Sequence, residues 1–168
     1  MMTGTPTANN ILTAYLLAVF LCIACFAVYD IHTRRVPNRA LVFFFPIAML
    51  SPILRLWSLS EAGTWQAWVL PAAADAFFGA FFGFAVPLAA ALVSGGTGMG
   101  GGDIKFCGIL GLIYGVSGMA LIFLVAAALA MPVSLFIRRK SENQILTLPF
   151  LPFLACGCSA ATVVRLFL

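Results

Sequence analysis

The sequence predicts an all-α, polytopic integral membrane protein of about six transmembrane helices, forming one membrane-embedded domain over residues 1–168. Composition is the first reason, since 8% of the residues are charged and 63% are hydrophobic. A soluble domain carries roughly 25% charged residues, so this chain could not cover a water-facing surface. The mean hydropathy of +1.11 points the same way. Spacing is the third reason. The apolar residues gather into runs near the roughly 20 residues that a helix needs to cross a bilayer.

Residues 1–10 are polar and contain no Lys or Arg, so they lack the basic start of a signal peptide. The apolar run that follows is long for a cleaved segment and predicts a retained first helix over 11–28. The second helix is predicted over 40–57, kinked by Pro46 and Pro52. The third, over 68–93, is long enough to tilt. Its Gly79 and Gly83 have the small-xxx-small spacing that lets helices approach closely. Residues 94–102 are too glycine-rich for a helix. A short fourth helix over 103–114 ends at Gly115 and Gly118, and a fifth runs over 119–137. After Arg138, Arg139, Lys140 and a polar turn, the sixth occupies 148–168.

With six spans, the first, third and fifth connections share one side of the membrane. They hold seven of the nine basic residues: Arg34, Arg35, Arg39, Lys105, Arg138, Arg139 and Lys140. Positive charge marks the cytoplasmic side, which places both termini outside. Trp57, Trp65 and Trp68 cluster at the second connection as an outer interfacial belt.

The net charge of +4 does not imply nucleic acid, because the basic residues form short clusters flanking apolar runs and make no basic face. The lipid bilayer is the partner they fit. The five cysteines lie in or beside apolar runs. Cys22 and Cys25 have CxxC spacing, but a zinc site needs a second such pair and the chain offers only Cys156-Gly-Cys158. They read as small packing residues, and no metal or other cofactor is expected.

Of five acidic residues, Glu61 and Glu142 fall in connections, whereas Asp30, Asp75 and Asp103 fall in or at the ends of apolar segments. Ionisable groups there are costly and functional by default. Asp30 ends the first helix and Asp103 begins the fourth, both on the cytoplasmic side, while Asp75 is remote from that layer. Two carboxylates sharing a site cannot both ionise easily, so one keeps its proton and the pair becomes an acid and a base in one unit. Such a unit can hydrolyse a peptide without a covalent intermediate. The alternatives are a helix-capping role for Asp103 and a balancing charge for Arg34 and Arg35 at Asp30. Competing chemistries lack parts: His32 is the lone histidine and no HExxH motif is present.

Gly100-Gly101-Gly102-Asp103-Ile104-Lys105 reads GxGDxK. Glycines before the acid would let an extended substrate backbone lie against the loop, making Gly100, Gly102 and Lys105 candidate substrate-loop residues; a flexible hinge is the other reading. As a phosphate cradle the run fails, having no GK[ST].

Together with this motif, Asp30 to Asn38 resembles the D-x6-[IV]-P-N signature of the type IV prepilin peptidase family, with Pro37 and Asn38 in its last positions. Gly100 to Lys105 is similar to that family's GxGDxK, followed by Gly108 and Gly111, and Leu148 to Phe153 resembles its closing PFxPF stretch, which includes Pro149 and Phe150. The three motifs stand in family order and cover nearly the whole chain. The resemblance implies an aspartic endopeptidase of the inner membrane with Asp30 and Asp103 catalytic. Its implied partner is a prepilin-like substrate, with an N-terminal leader cut after a glycine, just before the hydrophobic helix. Larger members carry a cytoplasmic insert with two CxxC pairs that binds zinc and accompanies N-methylation. Here Asn38 passes straight into the second helix, which resembles the short, peptidase-only form of Flp-type pilus systems. The nearest rival is another GxGD protease of the signal-peptide-peptidase type, whose later Pro-Ala-Leu is absent here; a small ion-coupled transporter would need its acids at the midplane. Lys105 reads equally as a dyad or substrate contact and as a snorkelling lysine, Arg34 and Arg35 as headgroup anchors, and Asp75 as a helix–helix hydrogen-bond partner.

Overall fold

The computed structural model describes residues 6–33, 38–61, 65–95, 100–140 and 150–167. Over these the chain forms α1 (Pro6–Thr33), α2 (Asn38–Glu61), α3 (Trp65–Val93), α4 (Gly101–Lys140) and α5 (Leu151–Phe167). Four stretches, Asn10–Thr33, Asn38–Ser58, Val69–Val93 and Gly101–Ser134, are long and apolar enough to cross a membrane, and Leu151–Arg165 is a shorter apolar helix. Large apolar side chains cover the outside; Phe43 and Leu70 are each 78% exposed. In water such a surface would aggregate, and facing lipid it is the expected one. The protein is an all-helical, multi-pass membrane protein.

The predicted kink does not break α2, which runs through both Pro46 and Pro52. α3 likewise contains Pro71 and Pro87. Prolines are tolerated in membrane helices because neighbouring groups re-satisfy the freed carbonyls.

α4 is where the sequence predicts two helices, and the structure makes two limbs of one element. Gly115, at φ 69° and ψ −174°, is non-helical and separates residues 101–114 from residues 116–140. The second limb turns back. Gly115 lies against Asp75 of α3, and the Phe123 ring packs on Phe82 of α3 with centroids 6.0 Å apart. Eight residues of helix rise about 12 Å. Had the limb continued straight on, Phe123 would lie far from Phe82, because α3 runs the other way past the first limb. The chain reverses at one residue.

The first limb is the axis of the bundle, with Phe106, Leu110, Ile113 and Tyr114 all fully buried. α3 packs on it through glycines, as the Gly79 and Gly83 spacing predicts. A Cβ on Gly79 would run into the Gly111 carbonyl, and one on Gly83 into the Cys107 carbonyl. α1, α2 and α5 close the other sides through Leu16, Val19, Ile23, Phe44, Ala48, Leu154 and Cys158.

Two boundaries differ from expectation in ways that matter for the acids. α1 continues to Thr33, so Asp30 lies inside its last turn rather than beyond its end. α4 begins at Gly101, so Gly101 and Gly102 are helical although the glycine run predicts a loop as far as 102. Glycine is costly in a helix interior, but these two occupy the first turn, where a cap can offset the cost.

Candidate active site

That cap is built by Gly100 and Asp103. The Gly100 carbonyl accepts the Asp103 N–H at 3.0 Å and the Ile104 N–H at 3.3 Å, which makes Gly100 the N-cap. The Asp103 carboxyl turns back and accepts the Gly100 N–H, the reciprocal bond of a capping box with its acid at the third position. Asp103 is thus not the N-cap itself but the third residue of the helix, with Gly100 at the cap. A carboxylate in a first turn also meets the positive end of the helix dipole.

Asp30 arrives from the other side. It is buried, only 4% exposed, and close enough to Asp103 for their charges to interact. Separated by 73 positions in sequence, the two acids come within range of each other's charge. α1 and the first limb touch through large side chains. Phe26 lies four residues before Asp30 and Phe106 three residues after Asp103, so each shares a helix face with its acid. Their ring centroids are 5.3 Å apart, and Phe44 of α2 packs on both, at 5.5 Å and 5.7 Å. Three rings make a dry floor on the membrane side of the two carboxyls.

On the remaining side stands the start of α5. The Phe150 carbonyl accepts the Leu154 N–H at 3.2 Å, which places Phe150 at the N-cap. The next residue, the buried Leu151, brings the start of α5 beside the Asp30 carboxyl. The Oδ2 atom of Asp30 is buried and, among the described residues, has no hydrogen-bond partner. A buried carboxylate oxygen left bare is expensive, and its geometry leaves it available to a water or a shared proton.

Lys105 and Gly102 belong to helix α4 rather than to a loop. Lys105 is two residues beyond Asp103, about 200° around the helix, and its Nζ donates to Asn38 Oδ1 at 3.4 Å. It ties the first limb to the start of α2, linking two of the sequence motifs away from the acids. Pro37 and Pro149 lie outside the described residues, as do Arg34, Arg35 and Glu142.

Asp75 is at the other end of the first limb. Twelve residues separate Asp103 from Gly115, roughly 18 Å of helix. There Asp75 accepts the Val116 N–H at 3.0 Å and pairs with Arg55 at 3.4 Å. Among the described residues no three His, Cys, Asp or Glu side chains group to hold a metal. The aromatic floor and the start of α5 beside Asp30 are absent from the sequence reading. The four- and three-residue offsets of Phe26 and Phe106 from the acids were the available signal for the floor; nothing local marks the approach of α5.

With this geometry in view, comparison with known proteins is specific. The family model of the type IV leader peptidase family matches residues 15–135. Prepilin leader peptidase/N-methyltransferase of Bacillus subtilis (strain 168) is 34% identical over 134 residues, covering 78% of this chain and 48% of that protein. The chain thus spans about half the length of this curated relative. No solved structure matches it.

Proposed function

The chain belongs to the type IV leader peptidase family, and on that premise we propose that it is an aspartic endopeptidase that removes the leader from type IV prepilin-like precursors. One observation carries the reading: two acids from distant parts of the sequence come within range of each other's charge beside an aromatic floor, one of them buried with an oxygen that has no partner among the described residues. In this mechanism the pair holds one proton. The charged member takes a proton from water while the water oxygen bonds to the scissile carbonyl carbon. The neutral member gives its proton to the carbonyl oxygen. When the resulting diol collapses, the C–N bond breaks, the pair gives a proton to the leaving amine and takes one from the diol hydroxyl that becomes the new carbonyl, and so ends with its single shared proton. The floor keeps bulk water from screening these charges.

The working face is the cytoplasmic one in this proposal, because seven of the nine basic residues fall in the three connections on the side of the two acids. The substrate is a prepilin-like chain whose leader precedes a hydrophobic helix, of the Flp type by the shortness of the 30–38 segment. The relative's second named activity, N-methyltransferase, is not extended to this chain, since residues 30–38 leave no room for a zinc-bearing insert.

Purified protein in lipid vesicles, given a prepilin-like peptide, should cut it once, before the hydrophobic segment. Methyl transfer from S-adenosylmethionine should be undetectable. Loss of cleavage on chelation would move the mechanism to a metal and overturn the dyad.

A further inference from the structure

Beside the two acids the bundle is not closed. Between α1 and α2 a cleft of about 440 Å³ opens toward the lipid, lined by Leu21, Cys22, Cys25, Phe26, Tyr29 and Ala40. Its shape follows from the sequence. Cys22, Cys25 and Ala40 are small and leave the space, while Leu21, Phe26 and Tyr29 supply bulk around it. The CxxC pair thus has a use that needs no metal: two short side chains on one face of α1 keep the cleft open. Apart from the Tyr29 hydroxyl, every lining side chain is apolar.

Tyr29 and Phe26 join this cleft to the acids. Tyr29 precedes Asp30 in the chain. Phe26 is both a wall of the cleft and a ring of the aromatic floor, 5.3 Å from Phe106 and 5.5 Å from Phe44. From Tyr29 to Leu21 the cleft follows α1 for about 12 Å into the membrane. On the peptidase reading above, which this inference rests on, the substrate's apolar segment starts directly after the bond that is cut. That segment has to leave the acids and enter the bilayer at once, and the cleft runs along that course. A larger cleft, of about 700 Å³, lies between α2, α3 and α4, but it faces elsewhere. It takes in Lys105, about 200° around α4 from Asp103, and Asn38, about 200° around α2 from Ala40.

We propose that the α1–α2 cleft is the seat of the substrate's hydrophobic helix. The helix lays one face in it, with contact side chains spaced three and four apart. Lipid is as apolar as the helix, so burial alone gains little, and close packing against the small residues gives the fit. A seated helix holds the bond ahead of it beside the acids, which is the positional part of catalysis.

Cross-linking tests the seat directly. Cys107 and Cys158 are fully buried, so Cys22→Ala with Cys156→Ala leaves Cys25 as the accessible thiol. With Asp103→Asn added to stop cleavage, the protein is reconstituted in vesicles with prepilin-like peptides. Each peptide carries one cysteine within about the first twelve positions after the cut, roughly three turns of helix. Under mild oxidation, disulfides to Cys25 should form at positions repeating every three or four residues, with background between them. Moving the thiol to the larger cleft, as Phe84→Cys with Cys25→Ala, should give background at every position. In the cleaving parent, Cys25→Trp fills the seat and should lower kcat/KM about tenfold. Its melting temperature should hold, because position 25 is exposed. Cys25→Ala leaves the seat open and should stay within about threefold of the parent. Capture at every position alike would mean that the cleft holds lipid and the peptide only brushes past it, which overturns the proposal. So would no capture by Cys25, capture by Phe84→Cys instead, or equal cleavage by Cys25→Trp and Cys25→Ala. If the parent does not cut the peptide at all, it is the peptidase reading that falls.

Discussion

Asp75 and the Asp30–Asp103 pair lie at opposite ends of the first limb of α4, and their surroundings differ in kind. At the Gly115 end, Asp75 has a partner on each oxygen: the Val116 N–H on Oδ1 and Arg55 on Oδ2. The carbonyls that end the first limb are met as well. Ile113 O receives Ser51 at 3.1 Å, Arg165 at 3.0 Å and also Arg55, and Tyr114 O receives Arg165. Tyr114 and Thr162 bond at 2.8 Å. This is how a membrane protein finishes a helix without water: the Ile113 and Tyr114 carbonyls and the Val116 N–H are each given a side chain. At the Asp103 end the opposite holds. Two carboxyls are brought within range of each other, and among the described residues one oxygen of Asp30 has no partner. Acids in membranes are costly wherever they stand. The acid with a partner on each oxygen supports the fold, and in the function proposed above the pair does the chemistry.

That contrast breaks or holds on activity first. Asp30→Asn and Asp103→Asn should each reduce peptide cleavage by at least about a hundredfold, the low end for losing a general acid or base, while the protein still folds. Asp75→Asn should stay within about threefold of the parent, because an amide oxygen still accepts the Val116 N–H at ordinary cost. The measurement is kcat on matched, reconstituted samples. Reversed sensitivities, with Asp75 essential and Asp30 dispensable, would put the chemistry at the wrong end.

Stability should show the mirror image. Gly115→Ala forces a side chain into a backbone region that is nearly glycine-only, costing about 1–3 kcal/mol. Its Cβ would also run into the Asp75 carboxyl. Thermal unfolding in detergent should drop clearly. Asp75→Ala should come next. Arg55 is 16% exposed but Asp75 is 38% exposed, so the cost falls below the 3–5 kcal/mol of a fully buried pair and nearer about 1–2 kcal/mol. Its cleavage per folded molecule should survive. A variant at this end that kept its melting temperature and lost its catalysis would erase the distinction.

The sequence already carries one end of this comparison and much less of the other. Apolar runs and a charge bias are enough to bring Asp30 and Asp103 to one layer, because topology needs only the number and direction of crossings. Gly79 and Gly83 announce a close helix contact by spacing alone. The reversal is legible only as glycines that end a helix; that a single residue, Gly115, suffices depends on Asp75 waiting to cap Val116. Arg55 and Arg165, the two basic residues outside those three connections, serve as helix caps, a role decided by neighbours up to 58 residues away. Asp75 as a hydrogen-bond partner agrees with its place in the structure. The loop assigned to residues 94–102 runs too far, since propensity counts glycines without seeing the carboxyl of Asp103 turned back to cap them.

The smallest effect expected lies among those glycines. Positive φ is one reason for glycine before an acid, yet among the described residues only Gly95 and Gly115 have it. What remains is space, and the structure divides Gly100 from Gly101. A Cβ on Gly101 meets nothing within 4 Å, whereas one on Gly100 lies 3.5 Å from Asp103 Oδ2. Gly101→Ala places a better helix former in an open first-turn position, so it should leave cleavage unchanged and raise stability by up to about 1 kcal/mol. Gly100→Ala makes an ordinary contact and should be mild. The two further methyls of Gly100→Val press on the carboxyl and disturb the cap that holds it, and should slow cleavage about tenfold, about 1.4 kcal/mol in the barrier. Time courses on variants matched for membrane insertion decide it. Equal losses at both positions would mean that the run acts only as a hinge, and that the Gly100–Asp103 cap does not hold the acid in its working place.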